Sequence, residues 1–205
     1  MNKAIAFDLD GTLIDVSQRD YQIYSDLVIK LGGTPLSYSV YWPLRQAKTD
    51  IHQILEESGI NRKDKIETFL VDRKALMESA EYLTIDKLFP VTLNLLDRLS
   101  EEFEVHIITI RHDQKNTRAQ LSFLELDRFN CHIVQGNKEE QMRLIPNLCY
   151  MVGDTENDIL PANNAGVKSI AVTTGIRNKE LLSEMNPTFM VSSLSGLLEI
   201  VYDNV

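Results

Sequence analysis

The sequence predicts a doubly wound, mostly parallel, Rossmann-like α/β sheet core carrying an inserted α-helical segment. Short β-branched runs alternate with longer amphipathic stretches, the pattern of a parallel sheet flanked by helices. That alternation breaks between about Asp15 and Asp86, where helical patterns occur without a convincing strand. Acidic residues also stand directly behind apolar runs, at strand C-terminal ends, where open α/β sheets bind ligands.

The elements follow in order. Lys3 to Phe7 is the first strand. The insert then shows Ile23, Leu27 and Leu31 on one helical face, Ile51, Ile54 and Leu55 on another, and Ile66, Phe69, Leu70 and Leu76 on a third, with turns at Gly32-Gly33-Thr34-Pro35 and Ser58-Gly59. The chain returns to the core near Phe89-Pro90 with a helix over Val91–Leu99, then the strand Val105–Thr109 and the helix Gln114–Leu124. Strand Cys131–Val134, helix Glu139–Ile145, strand Cys149–Val152 and helix Asn157–Ala165 before Gly166 come next. Strand Ser169–Val172, helix Lys179–Met185 and a weaker strand Thr188–Val191 end the series. The expected division is residues 1–14 and 87–205 for the α/β core and 15–86 for the helical insert.

Two acids, Asp8 and Asp10, stand where the first apolar run ends, followed at once by Gly11-Thr12. Residues two apart in a strand point to one face, so both carboxylates reach the same space, and Gly11 lets the backbone turn beneath them. Unequal environments push the pKa values of such a pair apart, which leaves one ionised while the other keeps a proton to give. The plainer alternative is an Asp-Gly turn. A second acidic cluster, Gly153-Asp154-Thr155-Glu156-Asn157-Asp158, follows the apolar run Tyr150-Met151-Val152 and opens a helix. Helix capping from Thr155 to Asp158 explains Asp158 or Glu156, but not Asp154, which leaves its strand as Asp8 does.

On these motifs the chain resembles the haloacid dehalogenase-like hydrolase superfamily, in its branch of phosphatases and sugar-phosphate mutases with a helical cap after the first motif. Asp8-Leu9-Asp10-Gly11-Thr12-Leu13 matches the first motif, and Gly153-Asp154 with Asp158 matches the last. Thr109, ending Val105-His106-Ile107-Ile108-Thr109, and Lys138, in Gly136-Asn137-Lys138-Glu139-Glu140, fit the second and third by order and placement. Thr109 is followed by Ile110-Arg111, where many relatives carry a small or amide residue; Arg111 is read as a solvated charge in preference to an added phosphate contact. By this resemblance the insert is a helical cap.

The resemblance implies an Mg²⁺-dependent phosphatase acting on a small phosphorylated metabolite. Asp8 is then the nucleophile that becomes an aspartyl-phosphate, and Asp10 the acid that protonates the leaving oxygen and later deprotonates water. Asp8, Asp154 and the backbone carbonyl of Asp10 hold Mg²⁺, Asp158 orients a metal-bound water, and Thr109 and Lys138 bind the transferring group. For Lys138 the alternative is an ordinary solvated helix start beside Glu139 and Glu140. A sugar-phosphate mutase is the nearest rival activity. A carbon–halogen hydrolase has no use for Asp10, a phospho-acceptor signalling domain needs neither Asp10 nor an insert of this size, and no motif carboxylate is missing as a silent ligand-binding relative would require.

Composition narrows the partners. The formal net charge of -9 offers no broad basic face for a nucleic-acid backbone, and no apolar run approaches the length that spans a bilayer. The start, Met1-Asn2-Lys3-Ala4, reaches Asp8 before a signal-peptide core can form, so the expected setting is cytoplasmic, with the chain a monomer or homodimer. Cys131 and Cys149 are read as packing residues in a reducing compartment, with a disulfide the minor alternative. His52, His106, His112 and His132 have no metal-ligand spacing. In Tyr41-Trp42-Pro43-Leu44-Arg45-Gln46-Ala47-Lys48, aromatics and cations either face an anionic substrate, with Arg45 and Lys48 setting specificity, or pack within the insert with the cations solvated.

Overall fold

In chain order, the computed structural model, which describes residues 3–203, has strands β1 (Lys3–Phe7) and β2 (Ile14–Asp15), then helices α1 (Ser17–Lys30), α2 (Tyr38–Gln46), α3 (Ile51–Glu57), α4 (Lys63–Leu76) and α5 (Ala80–Leu83). There follow β3 (Lys87–Leu88), α6 (Thr92–Leu99), β4 (Phe103–Ile110), α7 (Gln114–Phe123), β5 (Asn130–Val134) and α8 (Lys138–Leu144). The chain continues with β6 (Leu148–Gly153), α9 (Glu156–Ala165), β7 (Lys168–Val172), α10 (Lys179–Glu184), β8 (Phe189–Val191) and α11 (Leu197–Asp203). It divides into two units, one formed by the segments up to Asp15 and from Lys87 onward, the other by Val16–Asp86.

The first unit is a six-stranded sheet in the order β5-β4-β1-β6-β7-β8. Every pairing in it is parallel. Parallel strands with helices on both faces are buried on both sides, which is why β1 reads as an unbroken small and apolar run, Ala4 to Phe7, with every residue of it fully buried. On one face its small residues Ala4 and Ala6 pack with Met142, Ile145 and Ala162 from the α8–α9 region. The connections leave β1 toward β4 and leave β6 toward β7, in opposite directions. The crevice beyond the C-terminal ends of β1 and β6 is therefore a topological switch point, the place where such sheets take ligands.

Two features of this unit escape pattern reading. β2 and β3 form an antiparallel ribbon of two residues each, Ile14 opposite Leu88 and Asp15 opposite Lys87, too short to show any periodicity. The ribbon ties the two ends of the core together where the chain leaves and re-enters it, with the Thr92 hydroxyl donating to Leu13 O at 3.0 Å and the Phe89 amide to the same oxygen at 3.1 Å. His106 on β4 and His132 on β5 also stack, with ring centroids 5.2 Å apart and Nδ1 of one 2.9 Å from Nε2 of the other.

The second unit, α1–α5, is built around Ile23, Tyr24, Leu27, Val28, Tyr41, Ile54, Leu55, Ile60 and Phe69. Tyr24 and Tyr41 stack at 4.1 Å, and the Tyr24 hydroxyl, buried among apolar groups, meets Ser58 Oγ at 2.6 Å. The helix α2 holds Pro43 and sends Tyr41 into this core, with Trp42 and Leu44 packed partly against it. Leu70, placed by period on the apolar face of α4, is 39% exposed, and Phe69 is the residue that enters the core. No helix among the described residues is long and apolar enough to cross a membrane. Cys131 and Cys149 are both unpaired and half-buried.

Candidate active site

Asp8 leaves β1 at its C-terminal end, and its amide donates to Val152 O on β6 at 2.9 Å, which seats it over the switch-point crevice. The turn behind it is held by Gly11, at φ +82, where an L side chain is strained. A second constraint applies at the same position: a Cβ on Gly11 would lie 2.3 Å from Asp154 Oδ2. Gly175, in the loop after β7, is crowded in the same way, its hypothetical Cβ 2.0 Å from that oxygen. The two glycines thus make room for Asp154, which is fully buried. Its carboxylate accepts from the Thr12 hydroxyl at 2.9 Å and from the Ile176 amide at 2.6 Å.

Asp158 and Lys138 complete the cluster. Thr155 caps α9, and Asp158 reaches back so that its Oδ2 accepts from the Thr155 amide at 3.0 Å and the Thr155 hydroxyl at 2.8 Å, while its Oδ1 accepts from Lys138 Nζ at 2.6 Å. The same ammonium donates to Asp8 Oδ1. Asn137 caps α8 by accepting from the Glu139 amide at 2.9 Å, which starts the helix with Lys138 turned inward. Lys138 is 2% exposed, so its alternative reading as a solvated helix start is overturned.

Asp8, Asp154 and Asp158 each offer a ligand oxygen, and the three oxygens lie within 4.8 Å of one another. Burial first, then repulsion from Asp158 and Asp10, lifts the Asp8 carboxyl to about 7 against the pull of Lys138. Burial, followed by repulsion from Asp8 and Asp158, holds Asp154 well above the usual carboxylate range, although the Ile176 amide and Thr12 hydroxyl pull it down. For Lys138, burial opposes the charge, but Asp158 and Asp8 outweigh it and keep the ammonium firmly protonated. Ionising all three buried acids against one ammonium would leave negative charge uncompensated, and a small divalent cation with oxygen ligands supplies what is missing. The residues therefore fit such an ion.

The cavity beside this cluster, about 180 Å³, is lined by Asp8, Asp10, Thr109, Lys138, Asn157 and Ile176 among others. Asp8 and Asp10 thus face one space, and Thr109, 2% exposed at the end of β4, joins them. Asp10 meets a partner that the sequence did not suggest. Arg111, read above as a solvated charge, is 3% exposed and donates from Nε to Asp10 Oδ2 at 2.7 Å and from Nη2 to Asp10 Oδ1 at 2.6 Å. That reading is corrected: the short run of β4 past Thr109 carries Arg111 inward, toward the loop after β1 that lies on the next strand of the sheet.

Two other residues escaped the sequence reading. Thr12 stood within the quoted first motif without a role, and the Ile176 amide, a backbone donor, leaves no signal in side-chain identity. Arg45 and Lys48 lie in the helical unit. Arg45 is partly buried: its Nη2 stands 3.4 Å from Asp20 Oδ2, an oxygen shared with Arg73 Nη2 at 2.9 Å, while the Tyr41 hydroxyl donates to the other oxygen. Arg73 and Arg45 overcome the burial of Asp20 and hold its carboxyl below the usual range. Lys48 is exposed and takes a left-handed backbone at φ 57.

A parallel α/β sheet with buried acids, a lysine and a threonine gathered at its switch point defines an enzyme core of the Rossmann-like, phosphoryl-handling kind. Residues 131–197 match the family model described as "HAD-hyrolase-like". A phosphoglycolate phosphatase from Vibrio vulnificus strain YJ016 is 42% identical over 220 residues, covering 97% of this chain and 96% of the relative. The pyrophosphatase PpaX of Anoxybacillus flavithermus is 26% identical over 221 residues, covering 96% and 95%. In fold, a haloacid dehalogenase-like family hydrolase from Streptococcus pneumoniae superposes with a TM-score of 0.76 at 22% identity over 98% of each chain. The chain belongs to the haloacid dehalogenase-like hydrolases and is an enzyme of their phosphatase branch.

Proposed function

We propose that the protein is an Mg²⁺-dependent phosphatase that hydrolyses a small phosphorylated metabolite through an aspartyl-phosphate on Asp8. The observation that carries this reading is the buried trio Asp8, Asp154 and Asp158, held by the Lys138 ammonium and opening on a cavity that Asp10 and Thr109 also line. Asp8 has one oxygen on Lys138, which leaves the other for attack on phosphorus. Asp10 protonates the departing oxygen and then takes a proton from water. Thr109 and Lys138 hold the transferring group's oxygens, so that its charge is met by donors already in place. Asp8, Asp154 and the Asp10 carbonyl would hold Mg²⁺, which supplies Lewis-acid charge and shields the phosphate from the nucleophile. Asp158, whose oxygens are engaged by Lys138 and Thr155, orients that shell from behind.

The names of the relatives suggest the first substrates to try, phosphoglycolate and pyrophosphate. The helical unit is proposed as the cap, with Arg45 and Lys48 as its specificity residues, and the reducing cytoplasm suits the two unpaired cysteines. A panel of phosphorylated metabolites assayed with Mg²⁺ tests the reading. Phosphate release without isomerised sugar phosphate is expected; isomerisation in its place makes the protein a mutase, and activity undiminished by exhaustive chelation removes the metal from the scheme. Arg45→Ala and Lys48→Ala are expected to harm the best metabolite far more than a small aryl phosphate, because remote binding energy is lost only where a remote group exists.

A further inference from the structure

One buried cation beside the cavity has no part in the reading above. Arg111 follows Thr109 by two residues, and its amide donates to Val134 O at 3.1 Å, so its backbone is fixed on the neighbouring strand. Its guanidinium grips Asp10 with two prongs, 2.7 and 2.6 Å long, one on each carboxylate oxygen. Nη2 also reaches Oε1 of Gln120 on α7 at 3.5 Å, and Gln120 is itself 5% exposed. A single hydrogen bond leaves a carboxylate free to rotate about it, whereas two parallel ones fix both its position and its plane. The Asp10 side chain is 20% exposed, at the cavity wall. Arg111 is not among the residues that line the cavity, and its two prongs are already committed to a carboxylate.

We propose that Arg111 is a positioning residue for Asp10: its fork, steadied by Gln120, holds the Asp10 carboxylate in one orientation at the cavity wall, ready to take the proton of the water that attacks the aspartyl-phosphate. The proposal rests on the phosphatase reading and adds a residue to it. A misplacement of about 1 Å at a reacting group costs on the order of 10²-fold, and general acid–base help is worth about 10²–10⁴-fold in all, so loosening this clamp falls on the steps that Asp10 serves.

Arg111→Lys keeps the charge and loses the fork; Gln120→Ala keeps the fork and loses its support. With wild-type protein and Mg²⁺ as reference, Arg111→Lys is expected to lower kcat on an aryl phosphate by about 10- to 100-fold while keeping the initial burst of leaving group, which needs no proton, so that aspartyl-phosphate accumulates and can be trapped. Gln120→Ala should show the same split, smaller. Loss of the burst together with kcat, a loss of kcat with no trapped phosphoenzyme, or full activity in Arg111→Lys overturns the proposal. If the wild type does not hydrolyse the aryl ester, it is the phosphatase reading that fails. The clamp is then judged by the crystal structure of Arg111→Lys, where an Asp10 side chain kept in its wild-type orientation overturns it and a displaced one supports it.

Discussion

Lys138 joins Asp8 and Asp158 through one ammonium, and the two carboxylates it joins, one behind β1 and the other in the first turn of α9, are 150 residues apart along the chain. Its removal would leave three buried acids facing one another without a cation. In Lys138→Met the metal-free protein should lose about 3–5 kcal/mol at neutral pH, the usual cost of breaking one side of a buried pair, and the deficit should shrink in acid as the carboxylates take up protons. Urea unfolding at pH 5 and pH 8 reads both; a deficit independent of pH would mean that repulsion among the acids is not its source.

Metal binding and pH are linked through the same acids. Because Asp8 is lifted to about 7 and Asp154 well above its usual range, the folded metal-free protein keeps protons that the unfolded chain sheds above about pH 4. This contribution is fully present below that pH and is lost as pH rises through about 7. Mg²⁺ should reverse the loss, stabilising by about 2.7 kcal/mol at a hundred times its Kd, more at pH 8 than at pH 5.5, with proton release on binding. Asp154→Asn should largely abolish the Mg²⁺-dependent rise in melting temperature. An equal rise in that variant would place the ion elsewhere.

The division of labour between Asp8 and Asp10 is open to chemical trapping. Asp8→Asn should form no phosphoenzyme with any substrate. Asp10→Ala keeps the backbone carbonyl at its position, so an aryl or acyl phosphate should still phosphorylate Asp8, while hydrolysis of the intermediate, deprived of its base, slows enough for aspartyl-phosphate to accumulate. Alkyl phosphates, whose leaving groups need the proton, should lose about 10²–10⁴-fold in the first step. Equal slowing of alkyl and acyl phosphates with no trapped intermediate would remove Asp10 from the acid–base role.

His106 and His132 give a separate, opposite pH effect on stability. Burial pushes both imidazoles below their ordinary value; Glu104 pulls each upward, and His132 further lowers His106. The fold therefore favours the neutral rings, a contribution present above about pH 6.5 and lost as pH falls. His132→Gln should flatten this acid-side loss relative to wild type while leaving the alkaline side alone. Matching pH–stability curves for the two proteins would show that the stacked pair does not titrate as argued.

Local patterning carried much of this molecule. A strand buried on both faces has to be an apolar run, and a carboxylate placed just after such a run has to emerge at the sheet's C-terminal edge, so Lys3–Phe7 followed by Asp8, and the run ending at Val152 followed by Gly153-Asp154, were legible in the sequence. Periodicity likewise exposed the helical insert through Ile23, Leu27, Ile54 and Phe69. Only the tertiary structure decided which charges meet. Arg111 and Asp10 are 101 positions apart, Arg45 and Asp20 are 25, and His106 and His132 are 26. None of these pairs leaves a mark on residue order, because a charged side chain looks the same in sequence whether it ends in water or against a buried partner. The two-residue ribbon of Ile14–Asp15 with Lys87–Leu88 was hidden for a related reason: its pairing depends on where the insert returns the chain, and two residues are too few to show a period.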